Sequence, residues 1–309
     1  MTAPTQTTSP GQTSDGSPLE TIKVNPKQDA GIERRMSGPG RIGVWIVVVL
    51  AGIWTVVPLL WMLLGSFKSS ADVTSASPKW FFAPSLENYA GLFTGANNLG
   101  PYIVNSMLAA GISAILSLVL GTLAGYGLAR TEMKGKRHLA FWIISTRMAP
   151  IAAVILPLFL MFRVAGLIDT LPGLILAYMT FNLPFATWLM QAFFAEIPPS
   201  IEESAKVAGC TNWQAFWYVV LPLSKSGLVT TGILCLVFAW NDYAFASTFA
   251  GPNSQTLPIA ASQLVTQTGV DWGQLTAIGT IVVVPMVIAG LAVRRWLVTG
   301  LSLGAVTGE

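Results

Sequence analysis

Charge is what this sequence has least of. Asp, Glu, Lys and Arg make up only 10% of its 309 residues, against roughly 25% in soluble domains. With 53% hydrophobic residues, the chain has too little charge to cover a water-facing surface, and an ordinary soluble enzyme is excluded. Histidine is reduced to His138, in a basic loop, so a His-based metal cluster cannot be built. The two cysteines, Cys210 and Cys235, form no C-x-x-C pair, and the apolar run around Cys235 keeps them apart. Neither a disulfide nor a metal site is expected. A phosphate-cradling G-x4-G-K-S/T loop is absent: "KGKRH" at 134–138 lacks the preceding Gly and the following Ser or Thr. One His also leaves no Ser/His/Asp or Cys/His set, so no catalytic residue is expected. A net charge of +3 is too small to point to nucleic acid.

What is present suits a bilayer. The 29 Gly and 11 Trp match membrane helices and their interfaces. Six apolar runs approach or exceed the roughly 20 residues a crossing needs: about 42–66, 103–129, 139–162, 171–194, 224–247 and 273–296. Pro58, Pro157, Pro184 and Pro285 lie inside them and are expected to mark kinks. Residues 1–38 are Thr, Ser, Pro, Gly and Gln with almost no apolar content, so they are expected to be a disordered tail. They also lack the basic start and apolar core of a signal peptide.

Lys and Arg set the direction. Arg34, Arg35 and Arg41 precede the first run, Arg130, Lys134, Lys136 and Arg137 follow the second, and Arg294 and Arg295 end the sixth. The long segment after the first run carries only Lys68 and Lys79, and the segment after the fifth carries none. The positive-inside rule then places both termini in the cytoplasm, as an even number of crossings requires. In the second run Gly121 and Gly125, with Ala124 and Ala129 nearby, offer a close-packing face.

Between the fourth and fifth runs lies "IPPSIEESAKVAGCTNWQAFWYVVLPL", residues 197–223. Ser200-Ile-Glu-Glu203 has the pattern of a capping box, and Gly209 offers a helix stop. Thr211-Asn-Trp-Gln214 can open a second helix, with Trp213, Phe216, Trp217 and Val220 at helical spacing. Leu221-Pro222 is expected to end it. The periodicity leaves two readings open, a rigid docking device or an amphipathic linker lying on the membrane.

"ESAKVAGCTNWQAFWYVVLP" resembles the EAA motif of ABC importer permeases, E-A-A-x3-G-x9-I-x-L-P. Glu203, Ala205, Gly209, Leu221 and Pro222 fall in register, while Ser204 stands for the first Ala and Val219 for Ile. "AGYGLARTEMKGKR", "LPFATWLMQAFFAEIPPSIEE", "FAWNDY" and the final "GLSLGAVTG" are similar to segments of the maltose-type, shorter carbohydrate permeases. "STRMAP" at 145–150 is similar to the sorbitol or mannitol branch. The resemblance covers roughly residues 40–308 and implies an all-α integral membrane protein of the type I ABC importer permease fold, with six transmembrane helices and a cytoplasmic coupling helix. It implies a permease domain over 39–299, coupling segment 198–222, and a C-terminal tail over 300–309.

It further implies import of a sugar or polyol, driven by two copies of a partner ATPase that bind ATP and Mg. A second permease subunit and an extracytoplasmic sugar-binding (lipo)protein complete the system, in a bacterial or archaeal plasma membrane. This chain itself would hold no cofactor.

Ionisable groups within a crossing cost several kcal/mol unless they face protein or water. Arg147 in the third run and Asp242 in the fifth, beside Asn241, are therefore expected to face the bundle interior or a cavity. They either pair structurally, with each other or with the second permease, or line the sugar path; Asp242 could also meet the binding protein. Asn182 and Gln191 are path candidates of the same kind, and Trp188 and Trp240 could stack on a sugar or simply pack. The competing function is an ion-gradient-driven secondary transporter of a small polar solute. It would need internal repeats and ion ligands at mid-membrane, and neither is evident.

Overall fold

The computed structural model describes residues 38–75, 77–94, 98–266 and 269–306. The tail expected over 1–38 lies outside the described residues up to position 37. The chain divides at Val56–Val57 into two units. Of the first, residues 38–56 begin helix α1 (Gly38–Ser66), and every side chain from Ile42 to Val56 is exposed. A helix apolar on all sides is at home in lipid rather than water.

The second unit carries the remaining elements. After α1 come two short helices, α2 (Ser70–Val73) and α3 (Glu87–Phe93), then the long α4 (Gly100–Arg130). Next are α5 (Lys136–Met148), α6 (Ile151–Val164) and α7 (Leu171–Ala195). The segment after α7 forms α8 (Pro199–Val207), α9 (Asn212–Ala215), a π-helical turn over Phe216–Val220 and α10 (Leu221–Leu223). Then follow α11 (Lys225–Trp240), α12 (Ala244–Phe249), α13 (Leu257–Gln263), a small antiparallel hairpin of β1 (Val265–Thr266) and β2 (Gly269–Val270), and α14 (Trp272–Val306). α14 runs through most of the expected 300–309 tail, so that tail is helical to Val306.

Four of the six expected crossings are single helices: α1, α4, α7 and α14. The third is not. α5 and α6 meet at 91°, because Ala149 (ψ 136°) and Pro150 (ψ 128°) are extended. A residue before proline disfavours the helical region, so Pro150 breaks the run. Pro58, Pro157, Pro184 and Pro285, by contrast, sit inside continuous helices. The fifth expected run, 224–247, is also interrupted: α11 has 16 residues and stops before Asn241. The turn into α11 is not at Leu221-Pro222 but at Ser224, where the axis bends by 75°.

α4 and α7 form the central pair. The buried stripe of α4 reads Ser106, Ala109, Ala110, Ser113, Ala114, Ser117, Gly121, Thr122, Gly125, a run of small residues three or four apart that lets backbones approach. A Cβ on Gly121 would lie 2.6 Å from the Ala186 Cβ, and one on Gly125 would lie 2.8 Å from the Gln191 amide. α11 closes against this pair: Asn182 Nδ2 donates to Cys235 O at 3.0 Å. Trp240 Nε1 donates to Val282 O at 3.1 Å, tying α11 to α14.

The N-terminal end of α4 carries the loops. Asn105 Nδ2 donates to Asn253 O and Gln255 O, and Ser106 Oγ accepts from Leu257 N. Asp169, held at φ 58°, accepts from the amides of Gly251, Asn253 and Ser254 and from the side chains of Asn253 and Ser254. Partial burial pushes its carboxyl up, but these bonds outweigh that and hold it below the usual range. One acidic side chain thus fastens the α6–α7 connection to the α12–α13 connection.

Candidate functional site

Two places are candidates for function, one on the segment that follows α7 and one where two interrupted helical runs meet. The first is the segment around α8, at the C-terminal end of α4. The sequence suggests a capping box on Ser200, but the helix starts earlier. Pro198 is the N-cap without a side-chain bond, and Pro199 opens the helix. Proline suits that position because its missing N–H has no partner there anyway and its φ is preset. Ser200 is therefore helical, and its carbonyl accepts from Ser204 Oγ at 2.8 Å. The stop is as expected: Gly209 has φ 97°, its amide donates to Lys206 O, and Cys210 N donates to Ala205 O. These two bonds are a Schellman closure, which needs a left-handed residue at that point. The second capping box is present too, with Thr211 N to Gln214 Oε1 at 2.8 Å and Gln214 N to Thr211 Oγ1 at 3.2 Å.

Among the residues of α8 only Glu202 is buried, and the motif reading passed it over. Its Oε1 accepts from Tyr126 Oη at 2.6 Å and its Oε2 from Arg130 Nε at 2.9 Å. Lys206 Nζ stands 3.4 Å from Oε1, and Arg130 Nη2 also donates to Ile197 O at 3.0 Å. α8 is thus bolted to the end of α4. Burial raises the Glu202 carboxyl, yet the bonds from Tyr126, Arg130 and Lys206, with the Lys206 charge, lower it more, leaving it below its ordinary range. The bolt contributes fully above the ordinary carboxylate value and is lost as pH falls through the lowered native one. A sequence signal existed only as an acid and a base in separate helices, α8 and the end of α4, which periodicity cannot join.

The other motif residues face outward. Glu203, Ser204, Gly209 and Pro222 are exposed, while Ala205 and Leu221 are half-buried. Val207 is 90% exposed, an apolar side chain left uncovered on a short helix. Behind α8, Tyr126 packs on Phe194 and Phe216 at 5.5 and 4.5 Å between ring centroids. Phe216 and Val220 share a buried cluster with Met190 and Phe194, so the segment is anchored to α7 as well. Trp213, Trp217 and Tyr218 stay exposed beside it.

The second place is a cavity of ≈ 890 Å³ where the two broken runs meet. Ala149 from the α5–α6 break and Asn241, Asp242 and Tyr243 from the α11–α12 break all line it, with Arg147 and Thr180. Irregular backbone at membrane depth is tolerated where it lines a cavity, and both breaks do. Arg147 does not pair with Asp242: neither is in an ion pair among the described residues. Its guanidinium lies 4.2 Å from the Phe185 ring centroid and 4.3 Å from that of Phe238, cation–π contacts worth up to about 2 kcal/mol each when desolvated. Asp242 Oδ1 accepts from the amides of Phe245 and Ala246 at 3.0 and 3.1 Å, holding the start of α12.

Three path candidates, Arg147, Asn241 and Asp242, therefore come together, and Asn182 does not join them. It is fully buried in the α7–α11 contact. Gln191 and Trp188 line a separate, smaller hollow of ≈ 330 Å³, and Trp240 is committed to Val282.

Comparison with known proteins identifies the family and the fold. Residues 117–302 match the family model described as binding-protein-dependent transport system inner membrane component. The chain is 36% identical over 278 residues to the trehalose transport system permease protein SugB of Mycobacterium tuberculosis, covering 88% of this chain and 100% of that one. It is 32% identical over 270 residues to the diacetylchitobiose uptake system permease protein DasC of Streptomyces coelicolor, covering 87% and 98%. Its fold is that of a chain in a bacterial ABC transporter involved in the import of the acidic polysaccharide alginate. The TM-score there is 0.69 at 23% identity, over 84% of this chain and 98% of the other. Motif, fold and relatives converge: the chain belongs to the binding-protein-dependent transport system inner membrane components, as a multi-pass membrane permease subunit of the carbohydrate ABC importers.

Proposed function

We propose that this chain forms one wall of the pathway of a sugar or polyol importer, with its α8 face docking on a partner ATPase in the cytoplasm. Arg147, Asn241 and Asp242 present donors and acceptors to sugar hydroxyls at the cavity between the broken helices. Phe181, Phe238 and Tyr243 supply apolar surface to the same cavity. Relatives named for trehalose and diacetylchitobiose uptake support a carbohydrate cargo. Both termini lie on the cytoplasmic side, where the Lys- and Arg-rich segments gather. The loops at the N-terminal end of α4 then face the binding protein.

The observation that carries this reading is the division of labour on α8. Glu202 ties the helix inward, while Glu203, Ser204 and Gly209 are exposed on its outer side. The helix is held rigidly and yet left uncovered, as a mechanical input requires. The test is uptake by the assembly reconstituted with its second permease, ATPase and binding protein. Gly209→Val forces a β-branched residue to φ 97°, which is strained, though no atom lies within 4 Å of the new Cβ. The expected result is continued ATP hydrolysis with sharply reduced uptake; normal coupled uptake would remove α8 from the coupling role. In the same assay Arg147→Met keeps the packing between the two rings but removes the donors. Uptake is expected to fall about tenfold, equivalent to roughly 1.4 kcal/mol, with binding-protein-stimulated hydrolysis retained. Unchanged uptake would move the sugar path elsewhere.

A further inference from the structure

Lys68 has no place in the transport reading, and its surroundings are unusual. It follows α1 at the end of the bundle that carries the loops, where Asn88 Nδ2 donates to Ser66 O and to Lys68 O at 3.0 and 2.7 Å. The residue is 3% exposed. Among the described residues it forms no ion pair, and its ammonium donates no hydrogen bond to protein. Instead it stands 4.3 Å from the Trp61 ring centroid and 5.2 Å from that of Phe82. Two aromatic faces offset part of the desolvation of a cation, but they give its N–H groups no acceptor.

A hollow of ≈ 440 Å³ opens beside it, lined by Lys68, Trp61, Trp272, Met62, Pro58 and Thr74, among others. No carboxylate lines it. The nearest acid along the chain, Asp72, is bound by Lys79 and by the Ser69 hydroxyl; its charge is felt at Lys68 too, but it forms no ion pair with Lys68 and does not line the hollow. The indole N–H groups of Trp61 and Trp272 meet no protein acceptor among the described residues. Thr74 and Thr276 hydroxyls donate to carbonyls of their own segments, at Ser70 and Trp272. The hollow therefore offers donors and a positive charge, with no anionic group of its own.

We propose that this hollow is an anion site for a phosphodiester, the headgroup of an anionic phospholipid. Lysine serves phosphate as a point charge, and Trp is enriched at headgroup level. Pro58 and Met62, on the membrane-spanning part of α1, add apolar surface to the same hollow for an acyl chain. A sugar would need several acceptors as well as donors, and the side chains of the lining offer as acceptors only the Thr74 and Thr276 hydroxyl oxygens.

The test is native mass spectrometry of the intact transporter titrated with phosphatidylglycerol, and with diacylglycerol, which lacks the phosphate. One tight phosphatidylglycerol site is expected, with diacylglycerol much weaker. Lys68→Gln is expected to weaken the phospholipid at least about tenfold, the worth of a charged hydrogen bond, and Lys68→Arg to retain it. Competition by inorganic phosphate would identify a free-anion source for the same chemistry, and no competition would identify the lipid. Equal binding of both lipids, or equal phosphatidylglycerol binding in Lys68→Gln, overturns the site. Should Lys68→Gln fail to assemble, Trp272→Phe keeps the ring and removes one donor; a severalfold loss supports the site and unchanged affinity overturns it.

Discussion

Glu202→Ala is expected to unfasten α8 and destabilise the protein, while Glu203→Ala, one residue away, leaves stability intact. Glu202 and Arg130 have side chains 6% and 15% exposed, so removing the carboxylate strands a nearly buried guanidinium. Breaking such a pair costs about 3–5 kcal/mol, and Tyr126 Oη loses its acceptor in the same step. Thermal unfolding of the detergent-solubilised complex should show a clear drop for Glu202→Ala and none for Glu203→Ala. Both should lower uptake per ATP, the first by loosening the lever and the second by removing an outward contact. The exchange Glu202→Arg with Arg130→Glu should recover part of the lost stability. Equal loss of stability in the Glu202 and Glu203 variants would show that the two residues do not divide the work as the geometry says.

Gly125→Leu is expected to abolish assembly. A Cβ at Gly125 would lie 2.8 Å from the Gln191 amide and 2.9 Å from Thr187 O, both backbone atoms of α7. No rotamer change relieves contacts with backbone, so α4 and α7 would have to separate. Overpacking of a core costs about 1–3 kcal/mol even where side chains can yield; here they cannot. Gly127→Leu on the same helix is the control, since its Cβ would meet nothing within 4 Å, and a surface change stays within about 0.5 kcal/mol. The yield of monodisperse protein in size-exclusion chromatography reads both. A Gly125→Leu variant that assembles as well as Gly127→Leu would mean the two helices are not held at this distance.

Where apolar length decides structure, the sequence sufficed. The runs now seen as α1, α4, α7 and α14 are legible because nothing but a helix satisfies that much backbone in lipid. The Gly209 stop and the Thr211–Gln214 box were legible because caps are local chemistry. The breaks were not. Pro150 is one proline among several in apolar runs, and only neighbouring helices decide which proline is absorbed and which one turns the chain. Glu202 was hidden for a related reason: its partners Tyr126 and Arg130 lie more than 70 positions earlier. Adjacent glutamates look alike in sequence, and only the fold tells the inward one from the outward one. Asn182 was a path candidate because polarity in a span suggests function; in the fold its Nδ2 is used in a helix–helix hydrogen bond to Cys235 O, away from the cavity that holds Arg147 and Asp242.

The 91° break between α5 and α6 has a consequence for specificity. The last carbonyls of a helix and the first amides of the next have no partner within their own helices. No side chain caps the start of α6, and the Ala149 corner borders the cavity with Arg147. Main-chain groups of this kind survive any side-chain replacement. On the proposed sugar path, main-chain groups at this corner would add hydroxyl recognition that no side-chain exchange removes. Exchanges at Arg147, Asn241 and Asp242 should therefore retune which sugars pass, in graded steps, rather than close the route outright.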